Sequence, residues 1–336
     1  RRDDLLGIVL THAHEDHLGA VPYLWPKLRC PVYGTPFATA ILREKLREAG
    51  LIKKVPIEEI PRSSSFELGP FGVEYVSVSH SIPEASALIL RTPEGTVLHT
   101  GDWKIDPEPL IGEPTNEVTL RQVGQEGVLA MVCDSTNATS EGESGSEGMV
   151  RRRLTELISE CRQGVAVTQF ASNIARLQSV VLAAGECGRE TVLVGRSLWR
   201  YAEAARRTGY LDPEIRLLSD RDGAELHPSH VLYLCTGCQG ESRAAMAKIS
   251  GQTHPRIQLS AGDCVIFSSK IIPGNEVPIS RLYAQLEARG IEVISEETHK
   301  DVHVSGHPKR DELRRMYGWV RPKISIPVHG EARHLN

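Results

Sequence analysis

Thr11-His-Ala-His-Glu-Asp-His17, near the start of the chain, limits what the protein can fold into more than any other feature. Three histidines and one aspartate fall between positions 12 and 17, directly after the apolar run Leu6–Leu10. Imidazole and carboxylate are the ligands that zinc takes in hydrolytic sites. A buried strand opening into a loop would carry these side chains to a sheet edge. On a loop, this spacing can address two adjacent ions. His12 and His14 would then hold one, Asp16 and His17 the other. The competing reading is a chance cluster of surface histidines, and both the density and the preceding strand argue against it.

Four residues cannot close two sites. Further candidates lie just past later apolar strands: His80 in Ser-Val-Ser-His-Ser-Ile-Pro, Asp102 in His-Thr-Gly-Asp-Trp and His329 in Pro-Val-His-Gly-Glu. Each alone reads equally well as an ordinary loop residue. As a set after the first cluster, they complete two ligand spheres.

The periodicity divides the chain. Strands are expected at Val55–Ile60, Val73–Val78, Ala87–Arg91, Val97–Thr100 and Val128–Cys133, with helices at Leu18–Leu28 and Pro36–Ala49. Thr35 is the expected N-cap of the second helix and Gly50 its stop. The Ser/Gly-rich segment Ser140–Gly148 reads as a loop or hinge. Beyond it, helices (148–162, 173–187, 197–208, 279–289) alternate with strands (165–168, 191–194, 215–218, 231–235, 265–267, 291–294). This is the rhythm of a parallel sheet covered on both faces. From His303 the motif-bearing loops return, with a helix at Lys309–Tyr317 and a strand at Ile324–Pro327. The expected domains are 1–147, an inserted 148–302, and 303–336 returning to the first.

Of the 336 residues, 40% are hydrophobic and 24% charged, a soluble globular balance. No apolar run reaches membrane-spanning length, and the opening Arg-Arg-Asp-Asp is not a signal peptide. The net charge of −4 argues mildly against nucleic acid, yet bound dications would reverse the local sign. Arg151–Arg153, and Arg196 with Arg200, read as solvated helix faces. Seven scattered cysteines suit a reducing compartment. The isolated Cys235-Thr-Gly-Cys238 is a weak redox or metal signal.

The ordered set His-Ala-His-Glu-Asp-His, the His80 segment, Thr-Gly-Asp and Pro-Val-His-Gly-Glu resembles the metal-ligand motifs of the metallo-β-lactamase superfamily. The inserted domain, Cys133-Asp-Ser-Thr-Asn137 and His303-Val-Ser-Gly-His307 resemble its β-CASP nucleases. Phe170-Ala-Ser-Asn173, Thr236–Glu241 and Ile271–Glu276 are most similar to the ribonuclease J family. The resemblance implies an α/β fold: a metallo-β-lactamase αββα sandwich with an inserted β-CASP domain, a mostly parallel sheet flanked by helices. It implies two Zn2+ ions, with Mn2+ not distinguished by ligand type. His12, His14 and His80 would hold one, Asp16, His17 and His329 the other, and Asp102 would bridge them. Asp134 and His303 match further active-site positions. Ser305, Gly306 and His307 resemble a grip for an RNA phosphate, and Ser172 and Asn173 would touch the RNA backbone. Members of the family carry strands before the first motif and continue past the last, so both natural ends are expected to lie outside this chain.

The activity so implied is phosphodiester hydrolysis of single-stranded RNA, 5′→3′ from monophosphate ends as well as internally, in RNA maturation and decay. Two ions a few ångströms apart supply the nucleophile and stabilise the dianion. Asp134 would act from behind the ligands, and His303 would hydrogen-bond the phosphate or protonate the leaving oxygen. A homodimer or homotetramer in a bacterial cytoplasm, without membrane attachment, is the corresponding expectation. The competing readings are a small-molecule hydrolase, a DNA-repair nuclease and a non-catalytic RNA-binding subunit. The inserted domain argues against the first, His329 against the second and the intact ligand set against the third.

Overall fold

A computed structural model describes residues 4–335. Of the opening Arg-Arg-Asp-Asp, Arg1 to Asp3 lie outside the described residues, as does Asn336. The chain divides into one unit of Arg1–Gly145 with Ser305–Asn336 and another of Ser146–Val304.

The first unit begins with β1 (Ile8–Val9), α1 (Glu15–Leu18), α2 (Val21–Leu28), β2 (Val32–Gly34), α3 (Pro36–Glu48) and β3 (Ile57–Glu59). Parallel pairing orders the strands β1-β2-β3. Four further strands follow: β4 (Ser65–Leu68), β5 (Phe71–Ser77), β6 (Ser86–Thr92) and β7 (Gly95–His99). They form an antiparallel meander, with Pro93-Glu94 as the tight turn between β6 and β7. After α4 (Glu117–Glu126), β8 (Ala130–Asp134) pairs parallel with β7.

The second unit runs α5 (Glu147–Glu160), β9 (Val165–Thr168), α6 (Ile174–Glu186), β10 (Glu190–Val194), α7 (Arg196–Arg207), α8 (Asp220–Gly223), β11 (Val231–Cys235), α9 (Ala245–Ser250), β12 (Cys264–Phe267), α10 (Glu276–Glu287) and β13 (Glu292–Ile294). Its sheet is parallel throughout, in the order β10-β11-β9-β12-β13. The central strands are buried along their whole length because both faces are covered. α9 and α10 close one face over Ala166, Val192, Tyr233, Val265 and Phe267. α6 packs on β10 and β11, with α5 and α7 beside it.

The chain then returns to the first unit as α11 (Arg310–Val320), β14 (Ile324–Val328) and α12 (Ala332–Leu335), and β14 pairs parallel with β8. The larger sheet is therefore β14-β8-β7-β6-β5-β4. In it β5, β7, β8 and β14 run the same way, so their C-terminal ends share one edge. Val73, Tyr75 and Leu88 from this sheet pack with Val9 and Ile60 from the side of the smaller one, which makes a two-sheet sandwich. Tyr75 Oη also donates to the Leu10 carbonyl at 3.0 Å and fixes the end of β1 against the larger sheet.

Three expectations need correction. Leu6–Leu10 is not a buried strand: β1 spans two half-buried residues and Leu6 is 41% exposed. Among the described residues β1 has a ladder partner on one side only. Thr35 occupies the N-cap of α3, but its hydroxyl makes no capping bond; the Glu84 carboxylate accepts from Phe37 N at 2.7 Å instead. Ile215–Leu218 is not a strand. Only Leu218 is buried and bridges to Val192, while Pro213, Glu214 and Arg216 run out into solvent. β2, β4, α4, α8 and α9 have no counterpart in the sequence reading.

Candidate metal centre

The shared sheet edge brings the motif residues together. His12 and His14 sit on extended chain after β1. Asp16 and His17 belong to the single helical turn α1, with Leu18 of that turn buried as its anchor. The cluster is therefore half loop and half helix rather than all loop. His80 follows β5, Asp102 follows β7, Asp134 ends β8 and His329 follows β14. Gly101, just before Asp102, has φ +57°, and a Cβ there would meet the Ser86 carbonyl at 3.0 Å. His329 itself lies in the left-handed region at φ +58°, an uncommon conformation for a side-chain-bearing residue, and one that clusters at functional sites.

Two donor groups result, each with ligand atoms within 4.8 Å of one another: His12, His14, His80 and Asp102; and Asp16, His17, Asp102 and His329. Asp102 Oδ2 serves both. It lies 3.7 Å from His12 Nε2 and 3.8 Å from His80 Nε2, and 3.1 Å from His17 Nε2 and 3.5 Å from His329 Nε2. His12 and Asp102 are buried, whereas Asp16 and His329 are exposed, so the second group is the more open.

The first group tests whether a cation fits. His14 Nδ1 is 3.2 Å from His12 Nε2 and 2.9 Å from His80 Nε2. His80 Nδ1 donates to the Gly306 carbonyl at 2.6 Å, which leaves its Nε2 as a bare lone pair. Burial holds His12 and His80 well below the usual imidazole range, and brings His14 down to about 4. Neutral rings pointing lone pairs at one carboxylate oxygen repel one another unless a cation lies between them. Three imidazoles with a carboxylate suit a transition-metal dication.

In the second group the hydrogen bond from His329 holds Asp16 down at about 2, and the same bond lifts His329 to about 9. Burial alone would raise Asp102. The hydrogen bond from His17 and the surrounding histidines overcome it, and hold the carboxyl far below the carboxylate range.

Behind these groups lies a layer that sequence reasoning assigned only in part. Thr136 donates its hydroxyl to Asp134 Oδ1 at 2.6 Å and lies 2.8 Å from His329 Nδ1. His307 Nδ1 is 2.8 Å from Asp134 Oδ2. Burial lowers His307, but the bond to Asp134 outweighs it and the group is raised overall. Asp134, His307 and His329 form a third donor group overlapping the second. Ser305 Oγ accepts from Asn137 Nδ2 at 2.9 Å and from His307 N at 3.1 Å. Thr136 and Asn137 stand in the same motif as Asp134, yet nothing local marks partners 168 to 193 residues away.

In the second unit, Asn173 is buried and both ends of its amide are engaged. Oδ1 caps α6 through Arg176 N at 2.9 Å, and Nδ2 donates to Glu147 at 3.1 Å. Ser172 beside it is half-buried. His303 Nδ1 lies 3.5 Å from Arg176. Cys235 and Cys238 are buried thiols, Cys238 pushed up to about 12 by burial, and neither belongs to a donor group among the described residues.

Comparison with known proteins matches this geometry. Residues 162–286 match the ribonuclease J β-CASP domain, residues 1–123 a β-lactamase superfamily domain, and residues 290–336 the Zn-dependent metallo-hydrolase RNA specificity domain. The chain is similar to ribonuclease J along its whole length. It is 46% identical over 335 residues to ribonuclease J of Sinorhizobium meliloti, covering 100% of this chain and 59% of that protein. It is 42% identical to the Mycolicibacterium smegmatis ribonuclease J, covering 100% and 60%, and 38% identical to that of Thermus thermophilus, covering 97% and 58%. The chain thus spans less than two thirds of these ribonuclease J relatives. A solved structure of a protein of unknown function from Enterococcus faecalis V583 shares the fold, with a TM-score of 0.65 at 17% identity, covering 98% of this chain and 77% of that one.

Proposed function

We propose that the protein is a two-zinc ribonuclease that hydrolyses phosphodiester bonds of single-stranded RNA, both 5′→3′ from monophosphate ends and internally, in RNA maturation and decay. The observation that carries this reading is Asp102 Oδ2, one carboxylate oxygen facing two histidine-rich donor groups. His12, His14 and His80 would hold one ion, Asp16, His17 and His329 the other, with Asp102 between them. Such ions, when bound, lower the pKa of water and neutralise charge on the scissile phosphate.

The protein's own groups then orient and hold. Thr136 ties His329 to Asp134, and Asp134 in turn holds His307. Ser305 Oγ uses both of its protein bonds as an acceptor, so its own O–H can be given to an RNA phosphate oxygen, which supports the phosphate-grip role of Ser305, Gly306 and His307. His303 would hydrogen-bond the phosphate or protonate the leaving oxygen. Seven free thiols fit a reducing compartment, here a bacterial cytoplasm, and no helix among the described residues is long and apolar enough to cross a membrane. A homodimer or homotetramer is the assigned assembly.

The test uses zinc-loaded protein with a 5′-labelled single-stranded RNA bearing a 5′-monophosphate, the same RNA with a triphosphate, and the same sequence as DNA. Labelled mononucleotide released faster from the monophosphate RNA is the expected result. Cutting of DNA alone, or of neither polymer with metal bound, would overturn the reading.

A further inference from the structure

Two of the proposed ligands reach the shared sheet edge on separate loops, His80 after β5 and Asp102 after β7. Their side chains face each other, with His80 Nε2 3.8 Å from Asp102 Oδ2. Whatever spaces the two loops is therefore part of the site. Behind the side chains, Ser79 and Lys104 form a single antiparallel bridge. Ser79 directly precedes His80, and Lys104 stands two residues past Asp102.

Two opposed residues of an antiparallel pair exchange two N–H···O bonds. Here one of them is direct: Lys104 N donates to the Ser79 carbonyl at 2.8 Å. The other is relayed by a side chain. Thr115 Oγ1 accepts from Ser79 N at 2.9 Å and donates to the Lys104 carbonyl at 2.6 Å. A hydroxyl can accept and donate at once, and a hydrocarbon side chain can do neither. Both ends of the relay are anchored. Asn116, the next residue, donates its backbone N to the Ser77 carbonyl at 3.0 Å and caps α4 through Thr119 N at 3.0 Å. Lys104 is buried, and its Nζ reaches Asp106 Oδ2 at 2.8 Å and the Gly145 carbonyl at 3.1 Å.

The ligands of a dication must stand within about 0.2 Å of fixed distances. An oxygen inserted between two chains spaces them by far more than that. We infer that Thr115 is a positioning residue for the first donor group. Its hydroxyl, placed between Ser79 N–H and the Lys104 carbonyl, sets the gap between the two loops and so the spacing of the His80 ring from the carboxylate that both donor groups share. The role rests on the metal-centre reading above.

The test is titration of the metal-free protein with Co2+, followed by visible absorption, which reports the geometry of the donors around the ion. Thr115→Val puts a methyl where the hydroxyl stood, in the place a substitute water would take. Affinity for cobalt should fall about 10–100-fold, as when other groups that orient a metal ligand are removed, and the absorption band should change shape. Thr115→Ser keeps the hydroxyl and should bind cobalt as the wild type does. Should Thr115→Val not fold, Thr115→Ala takes its place with the same expectation. A folded variant without the hydroxyl whose titration matches the wild type overturns the inference, whatever its melting temperature. So does a Thr115→Ser protein that binds cobalt as weakly as the variant without a hydroxyl. A wild type that takes up no cobalt overturns the metal-centre reading itself. A wild type that takes up two ions per chain and cuts no RNA overturns the ribonuclease reading alone.

Discussion

His80 donates its Nδ1–H to the backbone carbonyl of Gly306 across 2.6 Å, a contact between residues 226 apart in the chain. The bond leaves His80 Nε2 as a lone pair aimed at His14 and Asp102. It joins a proposed metal ligand to the proposed phosphate-binding loop. Partners of this kind tune metal affinity about 10–100-fold. A Cβ on residue 306 would lie 2.8 Å from His80 Nδ1 and Cε1. Gly306→Ala should therefore turn the ring and cost one bound ion per chain while the other is kept. Metal analysis after dialysis checks this, and full occupancy would show that the bond does not hold the ligand.

Thr136 stands in the same relation to the second donor group. Thr136→Val keeps the shape and removes the hydroxyl shared by Asp134 and His329. Metal affinity at the open site should fall about tenfold or more, with little change in melting temperature. Competition with a zinc-chelating dye measures the first quantity. An unchanged affinity would show that the bond to Asp16, and not Thr136, holds His329 in place.

Asn173 is built into the second unit as a helix cap. Asn173→Ala should cost about 1–2 kcal/mol for the cap, and more because Glu147 loses a donor. Urea unfolding reads the cost directly. Unchanged stability together with weakened RNA binding would leave Asn173 with only the nucleic-acid contact suggested by its motif.

The thiols divide by burial. Cys161 and Cys187 are partly exposed; the other five are buried. Burial pushes Cys133 and Cys238 up to about 12, and Cys235 further. A hydrogen bond with Cys264 lowers Cys161. A maleimide at neutral pH should label Cys161 fastest in the native protein, Cys187 more slowly because partial burial raises its thiol, and the remaining five only in denaturant, because the thiolate is the reacting form. Rapid native labelling of Cys235 or Cys238 would reopen the redox reading of that pair.

The donor-group positions were legible because most sit just past an apolar run, and a strand's C-terminal end is where a sheet delivers side chains to a shared edge. Strands β9 and β11 were equally plain, since an apolar run covered on both faces has sharp polar limits. The short strands β2 and β4 were missed; three or four residues give no period to count. Thr35 misled because a capping residue type does not say which oxygen reaches the helix, and Glu84 arrived from a distant loop. Arg176 left a signal that went unused. It shares the buried face of α6 with Ile174, Leu177 and Val180, where a charge persists only with a built partner.

His329 and the loop at 305–307 come from the far end of the chain, whereas His12 to His17 come from its start. During synthesis the early ligands leave the ribosome first and wait for their partners. A nascent chain that stops short of residue 329 has no complete second donor group. An enzyme proposed to cut RNA would thereby lack its second donor group until residue 329 has been made, with no separate inhibitor required.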